Sequence, residues 1–227
     1  MPVRILALET TGHAGSVAAL ADAQLLAEHA LPPEQRSAQS LAPAMRSLLA
    51  EVGWRPRDVE LLAVAIGPGS FTGLRVGVTT AKTFAYAVGA DVIGIVSLDC
   101  LARQAPPDAE RLSAVIDAHR RQVFLRNYAR PAGAVLVAVD EPSIVDEAAW
   151  LANLKPGVAV TGPTVGKFAD RLPAGVIAVG ERLRTPMAAT VGLLAHERYQ
   201  RGERDDLWTL GPLYLRRAAA EEKADGV

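Results

Sequence analysis

The order of strand-like and helix-like segments in the first 100 residues leaves few folds open. Three strand-like segments joined by short turns come first, and a helix, an apolar strand, a second helix and another apolar strand follow. Tight turns predict an antiparallel meander, and helical crossovers require the later strands to run parallel to the first. The predicted strands cover residues 4–9, 16–21, 25–31, 61–66 and 91–96. The sequence therefore predicts an α/β fold.

Two helices are predicted between these strands. The first is expected to begin at Ser40 as N-cap, because this places Pro43 in the first turn, where proline is tolerated. An earlier start with a kink is the alternative. Gly53 is typical of a helix C-terminus. The second helix is expected over about residues 72–88.

The second half of the chain repeats this pattern in a shortened form. Strands are predicted at 112–117, 122–128, 133–139 and 158–160, and helices at 146–153, 164–172 and 188–201. A polar, proline-containing stretch at 104–108 separates the halves. We therefore expect a first lobe (1–104), a smaller second lobe (105–186), a C-terminal helix and tail that pack back on the lobes (187–217), and a disordered end (218–227).

Composition excludes several classes of protein. Half of the 227 residues are apolar and the formal net charge is −1, without the basic surplus of proteins that bind nucleic acid unaided. The one cysteine, Cys100, excludes an intrachain disulfide, and its apolar neighbours predict a buried, inert thiol. Since no apolar stretch matches a signal peptide or a membrane span, we expect a soluble, cytoplasmic protein that does not bind membranes.

Residues 67–75 form the most informative segment, between a predicted strand and the second helix. Free N–H groups at a helix start can bind an anion, and Ser70 or Thr72 can cap the helix. An ordinary strand-to-helix turn is the alternative. The segment lacks the Gly-Lys-Ser/Thr ending of a P-loop and the glycine spacing of a dinucleotide site. The candidate ligand or interface residues are Gly67, Pro68, Gly69, Ser70, Phe71, Thr72, Gly73 and Arg75.

The helix after this segment has a face with almost no side chains. Gly73, Gly77, Ala81, Ala85 and Gly89 occur at every fourth position. A glycine within a helix costs about 1 kcal/mol relative to alanine, so close approach of another helix is the expected compensation. That neighbour is the first helix, packed within the chain, or a helix of another subunit, or both if the two helices together form a four-helix interface. The corresponding small residues of the first helix are Ser40, Ala44 and Ser47.

These segments resemble the TsaB family, also called YeaZ-like. Residues 67–75 resemble the hallmark motif of the family, and residues 5–10, 116–120 and 212–216 agree in order. The resemblance covers nearly the whole chain. It implies the actin/hexokinase/Hsp70-like (ASKHA) fold, with two ribonuclease-H-like lobes and an abridged second lobe. The chain departs from the family at residues 9–11, Glu-Thr-Thr for Asp-Thr-Ser, and at residues 37–39, where a His-Ser pair is common.

The resemblance also implies a partner role. Members pair with the catalytic paralogue TsaD through the first-lobe helices, and the ATPase TsaE joins them. The complex transfers a threonylcarbamoyl group to the adenosine next to the anticodon of tRNA. We therefore expect a scaffold subunit without catalytic residues, which forms a homodimer when alone and meets tRNA only through the complex. No cofactor of its own is expected, and ATP or ADP is expected only at the subunit interface.

Two enzymatic functions are alternatives to the scaffold role. An ASKHA-type ATPase or small-molecule kinase needs a phosphate cradle, a magnesium-binding carboxylate and a base. Glu9, Thr10 and Asp117 stand where this fold places its phosphate loops and form the candidate vestigial nucleotide site, and residues 161–163 are a weak candidate for the adenosine loop. A glycoprotease-like peptidase is disfavoured, because Ser70 does not fit a Gly-x-Ser-x-Gly elbow.

The histidines do not predict a metal site. The four are His13, His29, His119 and His196, and no two are close in sequence. None has an acidic partner at a spacing typical of metal ligands. We expect surface or turn positions for them and no bound metal.

Overall fold

Two mixed β-sheets follow each other along the chain. The computed structural model describes residues 1–12, 15–32, 34, 37–131 and 134–216. The first sheet contains β1 (Arg4–Glu9), β2 (Ser16–Ala21), β3 (Gln24–Ala30), β4 (Leu61–Gly67) and β5 (Asp91–Val96). The second contains β6 (Arg111–Asp117), β7 (Gln122–Ala129), β8 (Val137–Ala138), β9 (Ser143–Asp146), β10 (Ala159–Thr161) and β11 (Ile177–Ala178).

Helices connect the strands and cover the sheets. The α-helices are α1 (Ser37–Glu51), α2 (Phe71–Val88), α3 (Ser97–Arg103), α4 (Glu147–Asn153) and α5 (Ala188–Gln200). Short 3₁₀ helices cover Pro56–Asp58, Pro163–Arg171 and Glu181–Leu183. The α/β class is confirmed, and so is the order of elements predicted for the first 100 residues.

The two sheets have the same strand order. The first is β3–β2–β1–β4–β5, with an antiparallel meander over β1 to β3 and with β4 and β5 parallel to β1. The second is β11–β10–β6–β7–β8, where β7 is antiparallel to β6, and β10 and β11 are parallel to it. The additional strand β9 is antiparallel to β7 and lies off this order. Its crossovers are only the seven-residue α4 and a 3₁₀ helix. The second half is therefore a shortened copy of the first.

The first sheet is covered on both faces. Leu6 and Leu8 of β1 belong to the core beneath α1 and α2, whereas Ile5 and Ala7 belong to the core beneath α5. All four side chains are fully buried. This alternation follows from the two-residue period of a strand. The C-terminal helix α5 therefore completes the first half of the molecule.

Helix α1 begins before Ser40, as in the alternative of an earlier start. It starts at Ser37, so Ser40 is a buried residue of the first turn rather than the N-cap. Pro43 consequently lies in the second turn, where it removes one backbone hydrogen bond. Pro43 is exposed, so solvent can replace that bond. The expected end of the helix is confirmed by Gly53, whose φ of 69° is left-handed.

Helix α3 and strand β7 connect the two sheets. Asp99 of α3 accepts hydrogen bonds from Arg126 Nη1 at 2.8 Å and from the Tyr128 hydroxyl at 2.6 Å, both on β7. Leu98 and Leu101 pack beside these groups against the second sheet. Helix α3 was not predicted from the sequence, because its seven residues are too few to show a helical period.

We expect Tyr128→Phe to lower the free energy of unfolding by about 2 kcal/mol. The substitution removes one hydrogen bond to a carboxylate and leaves the ring packing in place. Urea denaturation measures the change. Tyr86→Phe is the matched control, because its ring is exposed on α2. An equal effect of the two substitutions would contradict the structural role of Tyr128.

Other predictions for the second half were less accurate. In place of the strand expected at 133–139, β8 has two residues, and position 133 lies outside the described residues. Strands β9 and β11 were not predicted, because they have four and two residues and no clear alternation. The disorder expected for 218–227 likewise concerns residues outside the described part of the chain.

The structure bears on two further predictions, which concern the Cys100 thiol and membrane-spanning helices. Cys100 is fully buried, and burial raises the pKa of its thiol well above the ordinary value, as expected for an inert cysteine. In the described part of the chain, no helix is long and apolar enough to cross a membrane.

Candidate functional site

The glycines of the 67–75 segment allow close contact with the end of β1. A Cβ atom on Gly69 would lie 2.6 Å from the Thr11 carbonyl oxygen. One on Gly73 would lie 1.9 Å from the Thr10 carbonyl oxygen, and one on Gly77 would lie 2.3 Å from the Thr10 hydroxyl oxygen. No real Cβ fits at such distances, so these glycines are required by contact within the chain.

Hydrogen bonds fix the same contact. The Ser70 N–H donates to the Thr11 carbonyl at 2.8 Å, and the Thr10 hydroxyl donates to the Gly73 carbonyl at 2.8 Å. Ser70 is the N-cap of α2, since its Oγ accepts from the Gly73 N–H at 3.2 Å. The predicted cap is therefore confirmed for Ser70. Gly67 has a φ of 109°, a conformation that favours glycine.

The exposed part of the segment contacts the C-terminal region. The Phe71 and Tyr214 rings have centroids 5.2 Å apart, and the Arg75 guanidinium lies 4.0 Å from the Phe71 centroid. Arg75 Nε also donates to the Tyr214 hydroxyl at 3.0 Å. Phe71, Thr72 and Arg75 are exposed, whereas Pro68 is buried. These contacts leave an aromatic and cationic cluster at the surface.

Residues 205–216, here called the strap, run along α2 in the opposite direction. Lys82 Nζ of α2 donates to the carbonyls of Trp208 at 3.0 Å and Leu210 at 2.8 Å. The Leu213 N–H donates to the Ile66 carbonyl at the end of β4. Arg216 Nη1 then donates to the Ala118 carbonyl, after β6, at 2.5 Å. The strap therefore crosses from the first sheet to the second at the ends of β4 and β6.

The prediction that the small residues of α2 form a subunit interface is wrong for most of them. Gly73, Gly77, Ala81 and Ala85 are buried within this chain, against Thr10 and the core of the first sheet. They therefore cannot meet another subunit directly. Gly89 is the left-handed C-cap, with a φ of 75°. On α1, Ser40 is buried, Ala44 is half-buried and Ser47 is exposed.

Glu9 is enclosed rather than open to a ligand. Its side chain is fully buried, and Oε1 accepts hydrogen bonds from the Thr11 N–H at 2.6 Å and from the Thr11 hydroxyl. Within the described part of the chain, Oε2 has no hydrogen-bond partner. Burial raises the pKa of Glu9 from 4.5 to about 7, although the Thr11 hydrogen bonds act in the opposite direction. The carboxyl group is therefore partly protonated near neutral pH.

Asp117 lies at the end of β6 and is bound by its own chain. Its carboxylate pairs with Lys167 and accepts the His119 N–H at 2.7 Å. Partial burial alone raises the pKa of Asp117, but the hydrogen bonds from Lys167 and His119 outweigh it and hold the pKa below the ordinary value. Asp117 is therefore ionised and already neutralised by a lysine.

The three candidate nucleotide residues do not fit a phosphate cradle. Thr10 is used in the contact with α2, Glu9 is buried, and Asp117 is paired. Gly162, in the weak adenosine-loop candidate, has a different explanation. A Cβ there would lie 1.8 Å from the Val115 carbonyl oxygen, so this glycine permits close packing on β6.

The described histidines lie apart from one another. His29 contacts Glu51 at 2.5 Å, His119 is exposed, and His196 lies 3.6 Å from Asp22. His13 is outside the described residues. Across 1–12, 15–32, 34, 37–131 and 134–216, no group of three or more His, Cys, Asp or Glu side chains could hold a metal ion.

Comparisons with known proteins agree with this architecture. Residues 27–171 match the family model described as "TsaD: tRNA N6-adenosine threonylcarbamoyltransferase". The tRNA threonylcarbamoyladenosine biosynthesis protein TsaB of Escherichia coli is 29% identical over 99% of both chains. The Bacillus subtilis protein of the same name is 32% identical over 66% of both chains. The solved structure of YeaZ from Pseudomonas aeruginosa, 28% identical, superposes with a TM-score of 0.80 over 94% of this chain and 100% of that one.

The repeated strand order and the close contact of β1 with α2 define a two-sheet α/β protein of the ASKHA class. Within this class, the family model covers well over half of the chain, and the Escherichia coli relative bearing the TsaB name aligns along nearly all of it. The chain belongs to the TsaB (YeaZ-like) family of tRNA threonylcarbamoyladenosine biosynthesis proteins.

Proposed function

We propose that this chain is a non-catalytic subunit that pairs with a TsaD-type paralogue in transferring a threonylcarbamoyl group to the adenosine next to the anticodon of tRNA. The observation that carries the proposal is membership of the TsaB family. In this proposal a TsaE-type ATPase joins the complex, and the chain forms a homodimer when the paralogue is absent. It has no cofactor of its own, and ATP or ADP binds only at the subunit boundary.

The outer surface of α1 and α2 supports pairing. The sides of both helices that face away from the first sheet carry some long side chains, such as Arg46 and Tyr86, and between them mostly small or short ones. Such side chains let a second pair of helices approach closely. The family model also spans both helices, so a TsaD-type partner has equivalent helices to present. The exposed residues of this surface include Ala38, Ala42, Ser47, Ala50, Thr72, Thr79 and Thr83.

We therefore place the pairing surface on these exposed sides of α1 and α2 rather than on the buried small-residue face predicted from the sequence. Gly77→Leu is therefore not a clean test of pairing, because the new side chain would collide with Thr10. Substitutions on the exposed side avoid that problem. Ala42 on α1 and Thr79 on α2 are suitable positions, since both are exposed.

We expect Ala42→Arg/Thr79→Arg to weaken binding to the TsaD-type paralogue at least tenfold, about 1.4 kcal/mol. Two long cationic side chains would hold the helices apart, while the folded chain stays intact. Isothermal titration calorimetry measures the affinity. Ala174→Arg, at an exposed turn of the second half, is the control. Unchanged affinity of the double variant would contradict pairing through this surface.

Reconstitution from purified components tests the function. We expect the modified nucleoside to form in tRNA only when this chain, the paralogue and the ATPase are combined with ATP and a threonylcarbamoyl donor. Mass spectrometry of digested tRNA detects the product. Transfer by this chain alone, or full activity of the mixture without it, would show that the proposal is wrong.

A further inference from the structure

The exposed aromatic side chains of this chain lie in one region of the surface. Among the described residues, every exposed phenylalanine, tyrosine or tryptophan belongs to α2 or to the strap. Single exposed apolar side chains are ordinary on a protein surface, whereas grouped ones mark interaction sites. The four residues, here called the aromatic row, are Phe71, Tyr86, Trp208 and Tyr214.

The aromatic row consists of two ring pairs at opposite ends of α2. Phe71 and Tyr214 form the first pair. Tyr86 and Trp208 form the second, with ring centroids 5.6 Å apart in an edge-to-face arrangement. Tyr86 follows Phe71 by about four helical turns, a length of ~22 Å. A partner helix as long as α1, which has 15 residues, would therefore reach both pairs.

Trp208 presents its ring to solvent on a backbone that is held in place. Its side chain is 72% exposed. Asp206 Oδ1 accepts the Trp208 N–H at 3.0 Å and the Thr209 N–H at 2.8 Å. Lys82 Nζ donates to the Trp208 carbonyl at 3.0 Å. Because a fixed backbone loses little freedom when a partner binds, this ring is suited to anchor an interface.

The aromatic row continues the outer surface of α1 and α2. Phe71 is next to Thr72, and Tyr86 follows Thr83 by three residues, so rings and short side chains are neighbours on α2. Tryptophan and tyrosine are enriched among the residues that dominate binding energy at interfaces. A partner that covers both the short side chains and the strap would enclose the rings within its contact area.

We propose that the aromatic row is part of the surface that binds the TsaD-type paralogue, with Trp208 as its main anchor, an inference that rests on the proposed function. The paralogue supplies apolar side chains that pack against the rings, and an oxygen atom that accepts the Trp208 indole N–H. The strap lies outside residues 27–171, which match the family model. The inference therefore extends the pairing surface beyond the two helices.

The sharpest variant is Tyr86→Ala/Trp208→Ala in the full-length chain. Because both side chains are exposed, the melting temperature should change little. Isothermal titration calorimetry should show affinity for the paralogue at least tenfold weaker. Trp208→Phe keeps a ring at this position and should lose less affinity. Val135→Ala/Val139→Ala removes two exposed apolar side chains beside β8 and should leave the affinity unchanged.

Fluorine NMR tests the contact directly. The three tryptophans of the chain are labelled with 5-fluorotryptophan, and Trp208→Phe identifies the signal of Trp208. Addition of unlabelled paralogue should shift this signal and remove its sensitivity to exchange of H₂O for D₂O. The signal of Trp150, which is buried in the second half of the chain, should not move.

The outcomes separate this inference from the proposed function. If the wild-type chain does not bind the paralogue, the proposed function fails. If the wild type binds, Ala42→Arg/Thr79→Arg weakens binding and Tyr86→Ala/Trp208→Ala does not, the aromatic row lies outside the interface. Weaker binding without a shift of the Trp208 signal would show an indirect effect and also overturn the inference. So would loss of the homodimer alone in sedimentation, which would assign the row to a second copy.

Discussion

Gly73→Ala should destabilise the isolated chain by about 3 kcal/mol. The new methyl group would lie 1.9 Å from the Thr10 carbonyl oxygen, which is a backbone atom at the buried end of β1. Thr10 cannot move away freely, because its hydroxyl is bonded to the Gly73 carbonyl. Relief of the clash therefore requires α2 and β1 to separate.

The sign of this effect distinguishes two explanations of the small residues on α2. If Gly73 were kept for a partner helix, alanine would leave the isolated chain unchanged or stabilise it, because alanine favours helices by about 1 kcal/mol. Thermal unfolding should instead show a melting temperature about 10 °C lower. Gly166→Ala is the control, since nothing lies within 4 Å of a Cβ there. Equal melting temperatures for Gly73→Ala and wild type would refute the close contact.

Glu9→Gln should stabilise the chain at pH 8 by up to about 3 kcal/mol and have little effect near pH 4.5. The folded pKa of Glu9 is about 7, above the ordinary value of 4.5. Between these values the folded chain keeps a proton that the unfolded chain has released. The wild type therefore loses stability as pH rises from about 4.5 to 7, and the loss persists at higher pH.

Glutamine has the shape of the protonated acid, and its Oε1 can accept both Thr11 hydrogen bonds. The variant should therefore lack this part of the pH dependence. Urea denaturation between pH 4.5 and 8 measures the difference between the two chains. Glu181→Gln removes an exposed carboxylate from a 3₁₀ helix and serves as the control. If wild type and Glu9→Gln differ by the same amount at both pH extremes, Glu9 does not titrate as inferred.

Much of the architecture could be predicted from local patterns. Apolar strands, tight turns and helical spacing are properties of neighbouring residues, so the first seven elements and the class of fold followed from the sequence. The Gly67 to Arg75 segment and the cap Ser70 were also identified, because turn glycines and capping side chains act locally. Short elements such as α3, β9 and β11 were missed, since seven, four and two residues show no period.

The tertiary structure decided which group packs against each face of a helix. A row of small residues indicates close approach, and only the fold shows that Thr10 of the same chain fills that space above Gly73 and Gly77. The burial of Glu9 and the pairing of Asp117 with Lys167 depend in the same way on distant segments. Residue types and spacing determined the elements and the family, whereas long-range contacts determined which side chains remain free to bind a partner.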